Sequence, residues 1–166
     1  MLKTCCFTGH RPQKLPWRFD ETDERCTELK LKISTEIEKA IQRGYTHFIS
    51  GMALGCDIYF AEAVLNLKLI YPHIELECAI AYETQTSKWS SHWRERYFDI
   101  VAKCDKETLL ARRYYNGCLM ERNIYMVDKS SLLIAAYIEN KRSGARNTFT
   151  YAKAKRIKII SIIISK

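Results

Sequence analysis

The chain has 166 residues, 47% hydrophobic and 28% charged, and its 27 Lys and Arg outweigh 19 Asp and Glu for a formal charge of +8. These proportions describe one globular domain over 1–166, exclude a low-complexity or disordered chain, and favour anionic partners such as nucleotides, nucleic acid or acidic proteins. Its seven cysteines are odd in number and lack Cys-x-x-Cys spacing, a usage that predicts a reduced cytoplasmic setting and no metal site.

Leu2 to Thr8 reads as a buried strand that runs into Gly9-His10-Arg11-Pro12. Leu29, Ile33, Ile37 and Ile41 then share one helical face, and Gly44 stops that helix. Thr46 to Ile49 is a second strand. A helix follows from Asp57 to about Leu69, with Ile58, Ala61, Val64 and Leu65 on its apolar side and Pro72 breaking it. Ile74 to Ile80 is a third strand, in which Glu75 and Glu77 alternate with apolar residues and predict a partly wet face. Lys88 to Lys103 reads as a helix packing through Trp89, Trp93, Phe98 and Val101. Glu107 to Leu110 is a short strand, Leu119 to Val127 a helix, and Leu132 to Ala136 a continuous apolar strand. The polar loop Glu139 to Arg146 leads to a helix near Thr148 to Lys155, with Asn147 as its expected cap. Ile157 to Ile164 closes as a strand. Lys158 and Ser161 interrupt that last run, which falls far short of the roughly 20 apolar residues that span a bilayer. Leu2 to Phe7 is likewise too short for a signal-peptide core. No membrane partner is therefore expected.

Strands alternating with helices predict an α/β fold, a mainly parallel sheet between two helical layers, with the Leu2 strand in its centre. Ligands of such sheets bind beyond the carboxyl ends of the strands. Gly9 to Pro12, Ser50 to Asp57 and Ser143 to Thr148 all fall at that end. In Ser50-Gly51-Met52-Ala53-Leu54-Gly55-Cys56-Asp57 a strand enters a glycine turn and then a helix start, an arrangement that suits phosphate. It matches neither the Walker pattern nor Gly-x-Gly-x-x-Gly. Arg11 can fork onto a phosphate, and His10 can pair with one or stack on a base. Arg122 and Asn123 are adjacent, so one is expected to face the crevice and the other to brace a loop. Gly144 gives backbone access, and Ser143 or Thr148 supplies a hydroxyl. Trp89 and Trp93 offer base stacking or packing. The carboxylates that reach this end are Asp57, Glu83 and Glu121, the candidates for acid or base work.

Read together, Phe7-Thr8-Gly9-His10-Arg11-Pro12, the Ser50 to Asp57 turn, Arg122-Asn123 with Met126-Val127-Asp128-Lys129-Ser130, and Gly144-Ala145-Arg146-Asn147-Thr148 with Tyr151-Ala152 resemble the YpsA-like family of the SLOG superfamily. The resemblance covers nearly the whole chain. It implies a Rossmann-like three-layer fold and a nucleotide or nucleotide-derived ligand in the crevice; the partners expected are a nucleotide or ADP-ribose-type small molecule and, besides it, a second copy of the chain in a homo-oligomer. It matches Gly9, Arg11, Ser50, Gly51, Gly55, Asp57, Arg122 and Gly144 to the pocket of that family; the residues themselves add His10, Met52, Asn123 and Thr148. Its relatives include DprA and the LOG-type phosphoribohydrolases. The latter carry Gly-Gly-x-Gly-Thr followed by Glu, whereas Ala145 replaces the second glycine here and the acid is missing from its place. The leading expectation is a cytoplasmic nucleotide-binding or sensing protein. The rivals are a nucleotide-cleaving hydrolase using Glu121, Asp57 or Glu83, and a DprA-like binder of single-stranded DNA.

Overall fold

The computed structural model describes residues 3–166. Strand β1 (Lys3–Gly9) leads through a single 3-10 turn at Pro12–Lys14 to helix α1 (Glu24–Gln42). Then come β2 (Tyr45–Ser50), α2 (Cys56–Lys68), β3 (Glu75–Ile80), α3 (Ser91–Lys103), β4 (Lys106–Leu109), α4 (Cys118–Asp128), β5 (Leu132–Tyr137), α5 (Gly144–Ala154) and β6 (Lys158–Ile163). Leu2, with which the expected first strand begins, lies outside the described residues.

The strands form one sheet in the order β4-β3-β2-β1-β5-β6, every pairing parallel. The chain steps outward from β1 to β4, then returns to place β5 on the other side of β1. That reversal makes the gap beyond β1 and β5 the switch point where an α/β sheet opens a crevice. The sequence expectation of a central first strand and a Rossmann-like α/β fold is what the molecule shows.

Each face of the sheet carries its own core. Ile33 and Ile37 of α1, Ile58, Phe60 and Val64 of α2, and Trp93, Tyr97 and Ile100 of α3 pack with Phe7, Phe48 and Leu76 on one face. Met126 and Val127 of α4 and Ala152 of α5 pack with Cys6, Ile49 and Leu133 on the other. Phe7 stacks on Phe60 with ring centroids 4.7 Å apart. Alternate residues of one strand thus feed opposite cores, and apolar runs on both faces are what this burial requires.

Three local expectations need correction. Glu77 is not on a wet face: it is 2% exposed and sits among His47 of β2, Thr108 of β4 and Tyr125 of α4. Phe98 is half exposed, and the buried stripe of α3 is Trp93, Tyr97 and Ile100. Helix α5 begins earlier than expected, because Ser143 rather than Asn147 is its cap and accepts the Arg146 N–H at 3.1 Å.

Candidate functional site

The crevice at the switch point has a volume of about 100 Å³. Its walls come from the end of β1 and the turn after it (Thr8 to Arg11 and Lys14), from the α2 turn (Ala53, Asp57), from α4 (Leu119, Arg122, Asn123) and from the start of α5 (Ser143 to Ala145). Of the residues singled out in the sequence, Gly9, His10, Arg11, Asp57, Arg122, Asn123 and Gly144 meet here.

Arg122 is the centre of the arrangement. It is 5% exposed, its Nη1 donates to the Gly51 carbonyl at 2.9 Å, and its Nε donates to Asn123 Oδ1 at 3.2 Å. Arg122 and Asn123 therefore both turn inward, and Arg122 itself braces the α2 turn. The Asp57 carboxylate lies close by and accepts the Ala53 N–H at 3.1 Å. Burial raises the Asp57 pKa, opposed by Arg122, the Ala53 N–H and Arg11. Burial likewise lowers the Arg122 pKa, opposed by Asp57. Each charge is thus partly desolvated and held by the other across the turn.

Gly51 is what lets these groups converge. A Cβ at this position would stand 2.8 Å from Arg122 Nε and 3.1 Å from Asp57 Oδ2. Gly55 has φ +88°, and a Cβ there would stand 2.9 Å from the His10 carbonyl oxygen and from Pro12 Cδ. Both glycines therefore serve the approach of protein to protein. The amides of the turn are also engaged: Met52 N–H donates to Ser50 Oγ, Ala53 N–H to Asp57, and Cys56 N–H to the His10 carbonyl. These three donors of the expected phosphate cradle are thus taken by the protein's own acceptors. Cys56 is buried, and burial followed by the Asp57 charge pushes its thiol pKa up, so it is inert.

The start of α5 is different. Ser143 accepts the Arg146 N–H through its side chain and the Asn147 N–H through its carbonyl, which leaves the first amides, at Gly144 and Ala145, beside the crevice. A Cβ on Gly144 would meet nothing within 4 Å. Helix starts of this kind present N–H groups and partial positive charge to an anion.

His10 is 1% exposed. Its Nε2 accepts the Ile138 N–H at 3.0 Å, so the proton of the neutral ring sits on Nδ1. Burial, with Lys14 and Lys141 nearby, lowers its pKa to about 4. Nδ1 is buried and has no hydrogen-bond partner among the described residues. Lys14 reaches across the crevice mouth and donates to the Arg142 carbonyl at 2.8 Å. Sequence reasoning missed Lys14; the signal was its place one short turn after Pro12, which returns the chain to the crevice.

The remaining expected residues lie elsewhere. Met52 is buried in the core, and its carbonyl accepts from Gln85 Nε2 at 3.0 Å. Ser50 is buried and braces the turn by donating to the Asp57 carbonyl. Thr148 is buried, with its hydroxyl donating to the Gly144 carbonyl inside α5. Glu83 is exposed on the segment after β3, and exposed Glu121 accepts from the Tyr115 hydroxyl. Neither glutamate lines the crevice; Asp57 is the carboxylate that does. Trp93 is buried against Tyr59 and under Arg96, which is packing.

The family model for YpsA, described as the YspA SLOG family, matches residues 5–162. Among curated proteins, a UPF0398 protein of Halalkalibacterium halodurans is 29% identical over 157 residues, 93% of this chain and 82% of the relative. The UPF0398 protein YpsA of Bacillus subtilis is 24% identical over 157 residues, 93% of this chain and 87% of the relative. The uncharacterized SPbeta prophage-derived protein YoqJ of Bacillus subtilis is 31% identical over 138 residues, 75% of this chain and 80% of the relative.

Proposed function

We infer the function from one premise: the chain belongs to the YspA SLOG family. On that premise the crevice is a binding site for the phosphate end of a nucleotide or nucleotide derivative in a cytoplasmic protein. The observation that carries the reading is the buried Arg122 guanidinium, bonded to neutral oxygens of Gly51 and Asn123. It lies in a crevice that Arg11 and Lys14 also line. Two arginines and a lysine facing one carboxylate leave a surplus of positive charge that an anion relieves. The first amides of α5, at Gly144 and Ala145 beside the crevice, supply directed donors for the same anion.

The reading is binding without turnover. General acid or base work needs a titratable group within reach of the reacting atom. Glu121 and Glu83 lie outside the crevice, and the Asp57 carboxylate that lines it serves the turn, held by the Ala53 N–H and the nearby Arg122 charge. A thermal-shift screen over nucleotides and ADP-ribose-type compounds tests the proposal. A ligand at about 100 times its dissociation constant stabilises by roughly 2.7 kcal/mol, an easily measured rise in melting temperature. A flat screen, with single-stranded DNA binding that weakens steeply with salt, would instead favour a nucleic-acid surface.

A further inference from the structure

A second cavity, of about 470 Å³, adjoins the crevice, and the two share Lys14. Its walls are the turn from Gln13 to Pro16 with Arg18, and the segment from Ile138 to Lys141 after β5. Lys14, Arg18, Lys141 and Lys166 line it against one carboxylate side chain, Glu139. Lys14 and Arg18 are not neutralised by acids in their hydrogen bonds, since Lys14 donates to the Arg142 carbonyl and Arg18 to the Gln13 carbonyl.

His10 stands at the junction. It lines the crevice, while the Ile138 N–H it accepts belongs to the wall of the second cavity. Its Nδ1 is a buried donor with no partner among the described residues. A buried polar group left unpaired is unfavourable, and such groups in native proteins call for an explanation. His10 thus ties the wall of the crevice to the wall of the second cavity.

Size separates the two spaces. The crevice, at about 100 Å³, is the smaller of the two and suits a phosphate-sized group. The adjoining cavity of about 470 Å³ falls within the range of ligand pockets, roughly 300–1,000 Å³. Its lining is cationic, so a second anionic group suits it better than a bare nucleoside.

We propose that the cavity bounded by Lys14, Arg18 and Lys141 is a second anion subsite, and that the ligand is a nucleotide carrying at least two phosphate groups. This rests on the nucleotide reading of the crevice. One phosphate occupies the crevice near Arg122 and the start of α5, and the next passes Lys14 into the second cavity.

The test is titration calorimetry of the full chain with the monophosphates and diphosphates of adenosine, guanosine, cytidine and uridine, and with inorganic pyrophosphate. The preferred diphosphate should bind at least about tenfold tighter than its monophosphate, the scale of one charged hydrogen bond. The double variant Arg18→Gln, Lys141→Gln should lose most of that advantage and keep its monophosphate affinity. A second double variant, Lys39→Gln with Lys103→Gln near the C-terminal ends of α1 and α3, carries the same change of net charge and should keep the advantage. Equal binding of monophosphates and diphosphates overturns the second subsite and leaves the crevice reading standing. So does an advantage that survives loss of Arg18 and Lys141, or one that falls equally in the remote variant. No binding by any nucleotide overturns the crevice reading, and this inference with it.

Discussion

Replacing Gly55 with alanine tests whether the loops at the switch point are locked by contact between protein segments. Gly55 adopts φ +88° and ψ −124°, a region that costs a residue with a Cβ about 1–3 kcal/mol. The added Cβ would also stand 2.9 Å from the His10 carbonyl oxygen and from Pro12 Cδ, in a turn whose ring and backbone cannot swing away. Overpacking of this kind costs a further 1–3 kcal/mol or so, so Gly55→Ala should lose about 2–6 kcal/mol. Two other substitutions separate the terms. Gly117 has φ +95° and no atom within 4 Å of its Cβ position, so Gly117→Ala carries strain alone, about 1–2 kcal/mol. Gly144 has neither positive φ nor crowding, so Gly144→Ala should be neutral or stabilising by about 0.4–1 kcal/mol. Urea unfolding followed by far-ultraviolet circular dichroism gives each value by linear extrapolation. If Gly55→Ala is no more destabilising than Gly117→Ala, the contact with His10 and Pro12 is not what demands glycine, and the interlocking of the loops is wrong.

Arg122→Ala should weaken nucleotide binding by about 1.5–3 kcal/mol, the range for a hydrogen bond to a charged group, and Arg122→Lys should recover only part because an ammonium lacks the planar fork; calorimetry beside melting curves checks both. His10 stays neutral in the folded chain down to about pH 4, whereas its ordinary value is 6.5. The unfolded chain therefore binds the extra proton first, and stability present above pH 6.5 should fall by about 3 kcal/mol as pH drops toward 4. His10→Gln should flatten that part of the profile. Glu77 accepts from His47 at 2.6 Å, Thr108 at 2.8 Å and Tyr125 at 2.6 Å, so Glu77→Ala should cost about 3–5 kcal/mol by breaking a buried charged network, while Glu75→Ala, which removes only an exposed carboxylate 3.5 Å from His47 Nδ1, should cost no more than about 1 kcal/mol; paired denaturation curves decide it.

The fold was legible because its signals are local. A parallel strand buried on both faces must be apolar along its length, as Leu132 to Ala136 is, and the four-residue recurrence from Leu29 to Ile41 can only bury one helical face. The misreadings share one cause, which is that partners distant in sequence decided the outcome. Alternation placed Glu77 in water, but β2, β4 and α4 bring a histidine, a threonine and a tyrosine to it. Composition marked Asn147 as a cap, yet the chain enters α5 four residues earlier on Ser143. The site was legible as a set of loops and not as a set of roles. Gly51 and Gly55 announced a close approach, but the sequence could not say whether a ligand or another loop does the approaching. Glu121 neighbours Arg122 in sequence, and the helix points the two in different directions, one into the crevice and one to Tyr115.

The central claim is that the crevice at the switch point binds the phosphate end of a nucleotide and performs no chemistry on it. One calorimetric titration of the purified chain tests it most directly, run across nucleoside monophosphates and diphosphates, with the recovered solution analysed chromatographically. The account predicts saturable binding at one site, weakened in Arg122→Ala and in Arg11→Gln, with the nucleotide recovered intact. Undiminished binding in both variants would contradict the site, and release of free base or ribose phosphate by the wild-type chain, abolished in Asp57→Asn, would contradict binding without turnover.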